Sequence, residues 1–207
     1  MENLFRYDGK FWEILEEVTD IVILNFLFII CSIPIISIGA SLSALYTVSL
    51  KKVNEEHISV SKEFIKSFKL NLKISTLAWL FIVIVAFVLF LDFYISNLIY
   101  NEFIGIVLKF TCTLVSILLV FNFTYLFPMI SKFDNTLKNT VINSTIISLQ
   151  HLPYTIIMSI LNLLWVILLF LLINCYQYIL FFYIVIGFGI TSYIISILLN
   201  KIFLKYI

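Results

Sequence analysis

Residues that could carry out chemistry are few in this sequence and lie far apart. His57 and His151 are isolated, and the three cysteines, Cys31, Cys112 and Cys175, are widely spaced. A metal site needs several ligands at short spacings, and a phosphate-binding loop needs clustered glycines, whereas the whole chain has five glycines. We therefore expect no catalytic residue, no metal, no cofactor and no enzymatic activity.

Two charged residues lie inside otherwise apolar stretches, where charges are rare and often functional. Asp92 is near the end of one stretch and Lys109 near the start of the next, so the two form a candidate intramembrane pair. Snorkelling of each side chain to the membrane surface explains them equally well. Asn25, Asn122 and Asn162 lie deeper, and we expect them to form hydrogen bonds between helices.

The elements that hold these residues are long apolar stretches. The chain is 62% hydrophobic with a mean hydropathy of +1.12, and a membrane span needs about 20 mostly apolar residues. The sequence predicts a single membrane domain over residues 1–207, an all-α polytopic bundle of about five transmembrane helices with amphipathic interfacial helices. The predicted spans are 21–50, 74–95, 104–130, 152–175 and 178–200.

The first stretch contains a break at Pro34, Gly39 and Ser41, which is our candidate functional break. Proline removes a helical hydrogen bond and bends or ends a helix. Either one kinked helix crosses the membrane or the two halves form a re-entrant hairpin. We favour the kinked span, since proline kinks are common in membrane helices.

Two further segments are amphipathic. Residues 1–20 place acidic side chains opposite an apolar face that includes Trp12, which is typical of a helix lying on the membrane surface. Residues 59–73 separate an apolar face from four lysines, Lys62, Lys66, Lys69 and Lys73. This second segment is predicted to be a cytoplasmic surface helix or a docking helix for a partner.

The lysines also predict orientation, because short cytoplasmic connections carry an excess of basic residues. Ten lysines fall on the connections after the first and third stretches and in the tail. We expect a cytoplasmic C-terminus and, with a kinked first span, an N-terminus outside; a hairpin would place the N-terminus inside. The net charge of +1 gives no basis for binding nucleic acid, so the lipid bilayer is the expected partner.

Several motifs resemble the YesL-like family of bacterial integral membrane proteins, a domain of unknown function. They are Leu4-Phe5-Arg6-Tyr7-Asp8, Phe11-Trp12, Asp20 to Asn25, Cys31-Ser32-Ile33-Pro34-Ile35, Ser37 to Ser41, Ala44-Leu45-Tyr46, Phe64 to Asn71, Phe127-Pro128 and Phe133 to Lys138. The resemblance covers nearly the whole chain and is weak after Pro153. One departure is Lys10, where the family often has proline.

The resemblance implies a multi-pass protein of the bacterial plasma membrane, often encoded beside carbohydrate uptake or polysaccharide degradation systems, and brings no known site residues. Our first hypothesis is a non-enzymatic accessory or regulatory component associated with carbohydrate uptake, with transporter subunits as partners. The alternative is a small permease or channel for a sugar-related solute, which with five spans would have to be a homo-oligomer.

Overall fold

A computed structural model describes residues 10–99 and 102–206 as a bundle of helices, with no β-strand among them. The helices are α1 (Lys10–Ser32), α2 (Ile38–Val53), α3 (Val60–Ser96), α4 (Glu102–Lys132), α5 (Leu137–Gln150), α6 (Leu152–Leu171), α7 (Tyr176–Phe182) and α8 (Phe188–Phe203). A five-residue π-helix, Tyr183–Gly187, joins α7 to α8. The prediction of an all-α membrane bundle is confirmed.

Four helices are long and apolar enough to cross a membrane, rather than the five we predicted. They are Val60–Ser96, Phe103–Lys132, Leu152–Leu171 and the continuous helix Tyr176–Phe203. The last four predicted spans correspond to these helices. The first predicted span, 21–50, is divided between α1 and α2. Neither helix offers the required apolar length, because α1 begins with acidic turns and α2 has 16 residues.

The first stretch folds back on itself, so the favoured kinked span is not what the structure contains. Helix α1 ends at Ser32, a short 3₁₀ turn spans Ile35–Ser37, and α2 begins at Ile38. Twelve residues before the end of α1, Asp20 forms an ion pair with Lys52 at the far end of α2. The two helices are therefore antiparallel and form a hairpin.

Hydrogen bonds at the bend explain why the chain turns there. Pro34 has no N–H to donate to the preceding turn. The hydroxyl of Ser37 donates to the carbonyl of Cys31 at 2.6 Å, which gives a partner to a carbonyl at the end of α1, and lies 2.7 Å from the carbonyl of Pro34 in the bend. The bend is capped locally, and its apolar residues Ile33, Ile35 and Ile36 are exposed.

Both predicted amphipathic segments are continuous with longer helices. Of the predicted segment 59–73, residues 60–73 form the first turns of α3, which runs without interruption to Ser96. The described part of segment 1–20, including Trp12, belongs to α1; residues 1–9, with the Leu4-Phe5-Arg6-Tyr7-Asp8 motif, lie outside the described residues. The boundary between surface and membrane therefore falls within a helix, because polarity can change along a helix without any break in its backbone.

Helix α2 occupies the centre of the bundle, in contact with α1, α3, α4 and α8. Its sequence is rich in small residues, and Ala40, Ser41, Ser43 and Ala44 are fully buried. Small residues let helix backbones approach closely, which strengthens the van der Waals packing that helps helices associate in lipid. By contrast, most of α3, α4 and α6 leaves its apolar side chains on the outside of the bundle, where lipid would cover them.

Candidate functional site

A partly open cavity of about 160 Å³ lies between α2, α4, α6 and α8, and we call it the central cavity. Its walls are Leu42, Leu45 and Tyr46 of α2, Phe123 of α4, Asn162 and Trp165 of α6, Tyr183 of the π-helix, and Phe188, Thr191 and Ser192 of α8. Asn162 is at the midpoint of α6. The cavity is therefore near the middle of the membrane-crossing part, where transporters commonly bind solutes.

Three aromatic rings form one continuous wall of the central cavity. The ring centroids of Trp165 and Tyr183 are 5.2 Å apart, and those of Tyr183 and Phe188 are 4.3 Å apart. The indole N–H of Trp165 donates to the hydroxyl of Thr191 at 2.9 Å, and Thr191 donates to the carbonyl of Gly187 at 2.7 Å. The indole is thus fixed in position by the helix that carries the π segment.

Polar groups without partners border the same space. The Nδ2 atom of Asn162 is buried and has no hydrogen-bond partner. The hydroxyl groups of Tyr46 and Tyr183 form no hydrogen bond with any described residue. A buried donor without an acceptor costs about 1–3 kcal/mol, so the amide of Asn162 favours a polar occupant for the cavity.

The π-helix that carries Tyr183 is held by a residue of α1. Asn25, fully buried, donates from Nδ2 to the carbonyl of Ile184 at 2.5 Å and accepts from the N–H of Gly189 at 3.1 Å. One amide therefore satisfies a carbonyl and an N–H on either side of Gly187. π-Helical turns are rare and often occur at functional sites.

Glycine makes this contact between α1 and α8 possible. A Cβ atom on Gly189 would lie 2.7 Å from the carbonyl oxygen of Ile21 and 2.9 Å from its Cγ2 atom. Backbones that cross this closely leave no room for any side chain. The position of Asn25 therefore depends on Gly189 as well as on its own hydrogen bonds.

The candidate break at Pro34, Gly39 and Ser41 is outside the central cavity. Gly39 packs against the carbonyl of Ser75, and a Cβ atom there would be 2.7 Å from that of Trp79. Ser41 is buried and bonds within its own helix, to the carbonyl of Ser37 at 3.2 Å. The break shapes the hairpin, and the next turns of α2, from Leu42 to Tyr46, reach the cavity.

Four lysines that were predicted to share a face do so. Lys62, Lys66, Lys69 and Lys73 are exposed along one side of α3, and we call them the lysine stripe. The opposite side of α3 is held by α2: the hydroxyls of Thr47 and Ser67 are 2.7 Å apart, and Lys51 pairs with Glu63 at 2.8 Å. The lysine stripe therefore projects from a helix that is fixed on its other side.

The candidate pair of Asp92 and Lys109 does not form an ion pair in the structure. The ion pairs between described residues are Lys51 with Glu63 and Lys52 with Asp20. Asp92 is exposed at the edge of an apolar cleft between α3 and α4, and Lys109 is half-buried. Snorkelling to the membrane surface is the interpretation that fits this placement.

The deep asparagines differ from one another. Asn25 bonds to the π segment, and Asn122 donates to the carbonyl of Val141 at 3.0 Å and to Ser144 at 2.7 Å in α5, so both link helices as expected. Asn162 lacks such a partner.

The aromatic wall of the cavity was not predicted, because tryptophan and tyrosine in a membrane helix normally indicate the interface.

Comparison with known proteins gives a match to a protein family over part of the chain. No curated protein matches the chain, and no solved structure matches it. The family match covers about a third of the chain, from Ile21 in α1 through the hairpin to Phe93 near the end of α3. Over residues 21–93 the chain matches the family described as a protein of unknown function, DUF624, with which the resemblance to the YesL-like family is consistent.

Proposed function

We propose that this chain is a non-enzymatic accessory or regulatory component of the bacterial plasma membrane that associates with a carbohydrate uptake system. The observation that carries the proposal is the lysine stripe, a row of exposed charges on a helix fixed from behind. Carbohydrate uptake as the setting rests on the resemblance to the YesL-like family. Contact with transporter subunits would be made on the side of the membrane to which the stripe projects.

The stripe combines charge with apolar surface. At 100° per residue, Lys62, Lys66, Lys69 and Lys73 fall within a narrow arc of α3. Ile65 and Leu72 are exposed on one side of that arc, and Leu70 is exposed on the other. Apolar anchors surrounded by charge are a common composition for a helix that docks on another protein, because the apolar groups supply affinity and the charges supply orientation.

The hairpin changes the orientation that we propose. Four spans leave both ends of the membrane region on one side, and the pairing of Asp20 with Lys52 places the start of the hairpin on that side too. Because basic residues favour the cytoplasm, we place the lysine stripe, the C-terminus and the N-terminal end of α1 there. This replaces the external N-terminus that followed from a kinked first span.

Crosslinking in native bacterial membranes tests the accessory role. The stripe variant changes Lys62, Lys66, Lys69 and Lys73 to Gln, and a matched control changes four other exposed lysines, Lys132, Lys138, Lys201 and Lys205, to Gln. We expect the unmodified protein and the control to recover carbohydrate transporter subunits, and the stripe variant to recover at least tenfold less. Repeated recovery of the unmodified protein alone would overturn the proposal, and equal recovery by the two variants would exclude the stripe as the contact.

The central cavity favours a second candidate, a small oligomeric permease or channel for a sugar-related solute. Its position at the midpoint of α6, beside a π-helical segment, resembles the placement of solute sites in transporters. Uptake of labelled sugars into vesicles that contain the purified protein tests this candidate. A signal no higher than that of protein-free vesicles across a broad panel of sugars would exclude it.

A further inference from the structure

We propose that the central cavity binds a small uncharged polyol, a molecule of about the size of glycerol, between the aromatic wall and Asn162. The inference does not depend on the accessory role, because it concerns what occupies the interior of the bundle. It holds whether the bound molecule is carried across the membrane or is only sensed.

The lining of the cavity requires an uncharged occupant. None of the residues that form its walls carries a charge, and the two ion pairs formed between described residues involve none of them. Transfer of an unpaired ion into the middle of a membrane protein is costly. A phosphate, a carboxylate or an ammonium group would therefore find no counter-charge here.

Hydrogen-bonding capacity further restricts the chemistry. The hydroxyl of Thr191 is already used by Trp165 and Gly187, and that of Ser192 bonds to Ser49 and to the carbonyl of Gly189, both at 2.9 Å. What remains is the amide of Asn162 and the phenol groups of Tyr46 and Tyr183. Hydroxyl groups both donate and accept, so a molecule with several of them can satisfy all three.

The aromatic wall accounts for the other side of the occupant. Trp165, Tyr183 and Phe188 present closely spaced rings, and Leu42 and Leu45 add further apolar surface. If the cavity held only water, polar molecules would lie against this apolar surface. A polyol can direct its C–H groups to the rings while its hydroxyls reach the amide and phenols, which is the usual division of a small-molecule site.

The volume of the central cavity limits the size of the molecule that it can bind. A volume of about 160 Å³ is similar to that of an engineered protein cavity of about 150 Å³ that holds one benzene molecule. That space suits a short polyol and is too small for a disaccharide. The predicted order of binding is therefore glycerol over sucrose, with no binding of sulfate because of its charge.

The fluorescence of Trp165 can report binding directly. The chain has three tryptophans, so the double variant Trp12→Phe, Trp79→Phe leaves Trp165 as the single fluorescent reporter in the cavity wall. We call this variant the reporter protein. The full chain in lipid nanodiscs, prepared without glycerol, is titrated with glycerol, sucrose and sulfate in turn. We expect a saturable change in Trp165 emission with glycerol and none with sucrose or sulfate. A linear response that is equal for glycerol and sucrose is a solvent effect and would overturn the proposal.

Asn162 supplies the second readout. Asn162→Leu removes the unpartnered donor at similar volume, and we expect it to weaken glycerol binding at least tenfold. The matched control is Asn139→Leu on the exposed side of α5, which should bind glycerol as the reporter protein does. Equal glycerol affinity in the two variants would overturn the proposal.

Thermal unfolding separates a lost ligand contact from a damaged fold. Without glycerol, Asn162→Leu should be at least as stable as the reporter protein, because it removes a buried group that has no partner. Glycerol also stabilises proteins generally as an excluded osmolyte, so it should raise the midpoint of the reporter protein by more than that of Asn162→Leu. A midpoint that glycerol raises equally in both proteins would count against the site.

Discussion

Asn25 in α1 accepts a hydrogen bond from the backbone N–H of Gly189 in α8, at 3.1 Å. The same amide donates to the carbonyl of Ile184, so a single side chain of the hairpin serves backbone groups at both ends of the π-helix bend. Because Tyr183 of that segment lines the central cavity, this residue of α1 supports one wall of the cavity.

Loss of this amide should destabilise the protein. In Asn25→Ala the carbonyl of Ile184 and the N–H of Gly189 lose their partner in a fully buried environment. At about 1–3 kcal/mol for an unsatisfied buried group, we expect a lower free energy of unfolding by about that amount, measured by denaturant titration in detergent micelles. Asn25→Asp keeps the acceptor for Gly189 but loses the donor to Ile184.

Hydrogen exchange locates the effect of these two variants. The amide of Gly189 should exchange faster in Asn25→Ala and less so in Asn25→Asp, which retains an oxygen in that position. Unchanged exchange at Gly189 in Asn25→Ala would show that the π segment does not depend on Asn25.

The sequence predicted the general architecture because helices surrounded by lipid must carry apolar side chains, and this requirement is visible in the composition alone. It could not decide between a kinked span and a hairpin, since Pro34 is compatible with both and the outcome is set by capping through Ser37 and by the pairing of Asp20 with Lys52. Residues 59–73 appeared as a separate element because their lysines change the polarity, although the backbone of α3 continues.

The sequence also could not predict the central cavity, because the cavity depends on contacts between helices. Its walls come from α2, α4, α6 and α8, so Tyr46, Asn162 and Trp165 meet only through tertiary packing. Asn162 was expected to link helices like Asn25 and Asn122, and nothing in its local sequence distinguishes it from them. An apolar context identifies a buried amide, but only the neighbouring helices determine whether it finds a partner.

Crosslinking can test the hairpin in the membrane. With the native cysteines changed to alanine, Asp20→Cys and Lys52→Cys should be joined efficiently by a short bifunctional maleimide, because their side chains are in contact in the structure. A kinked span across the bilayer would hold these positions about 30 Å or more apart. The control pair is Ile36→Cys with Lys52→Cys, which the hairpin places at opposite ends of α2 and which should stay unlinked.

Labelling from one side of the membrane gives an independent check. In right-side-out vesicles, an impermeant maleimide should leave both Asp20→Cys and Lys52→Cys unmodified until the vesicles are opened. If Asp20→Cys alone were labelled from outside, the result would support the kinked span and contradict the hairpin.

Close packing at Gly189 should make even a methyl group costly. Gly189→Ala introduces a Cβ atom 2.7 Å from a backbone oxygen of α1, which cannot move without shifting the helix. We expect a loss of about 1–3 kcal/mol in the free energy of unfolding, as for other overpacked sites. Gly105→Ala is the matched control, because the nearest atom is a single carbonyl oxygen, of Ser96, at 3.1 Å. Equal losses in the two variants would mean that the α1–α8 crossing is not the tight point.

Gly187→Ala should alter the cavity rather than the fold. A Cβ atom at this position would meet the ring of Tyr183, at 3.0 Å from its Cε2 atom, and a side chain can turn away where a backbone cannot. Because the Tyr183 ring is 5.2 Å from that of Trp165, we expect a shift in Trp165 emission and weaker glycerol binding in the single-tryptophan background, with a nearly unchanged midpoint of thermal unfolding.

A double-mutant cycle separates this effect from a general disturbance. In Tyr183→Leu the ring that the new methyl group would strike is absent, so adding Gly187→Ala should produce little further change in Trp165 emission. The coupling between the two substitutions should therefore be close to the full effect of Gly187→Ala alone. If Gly187→Ala shifts the emission equally in both backgrounds, the methyl group acts through the π-helical backbone, and Tyr183 is not the residue that transmits the change to the cavity.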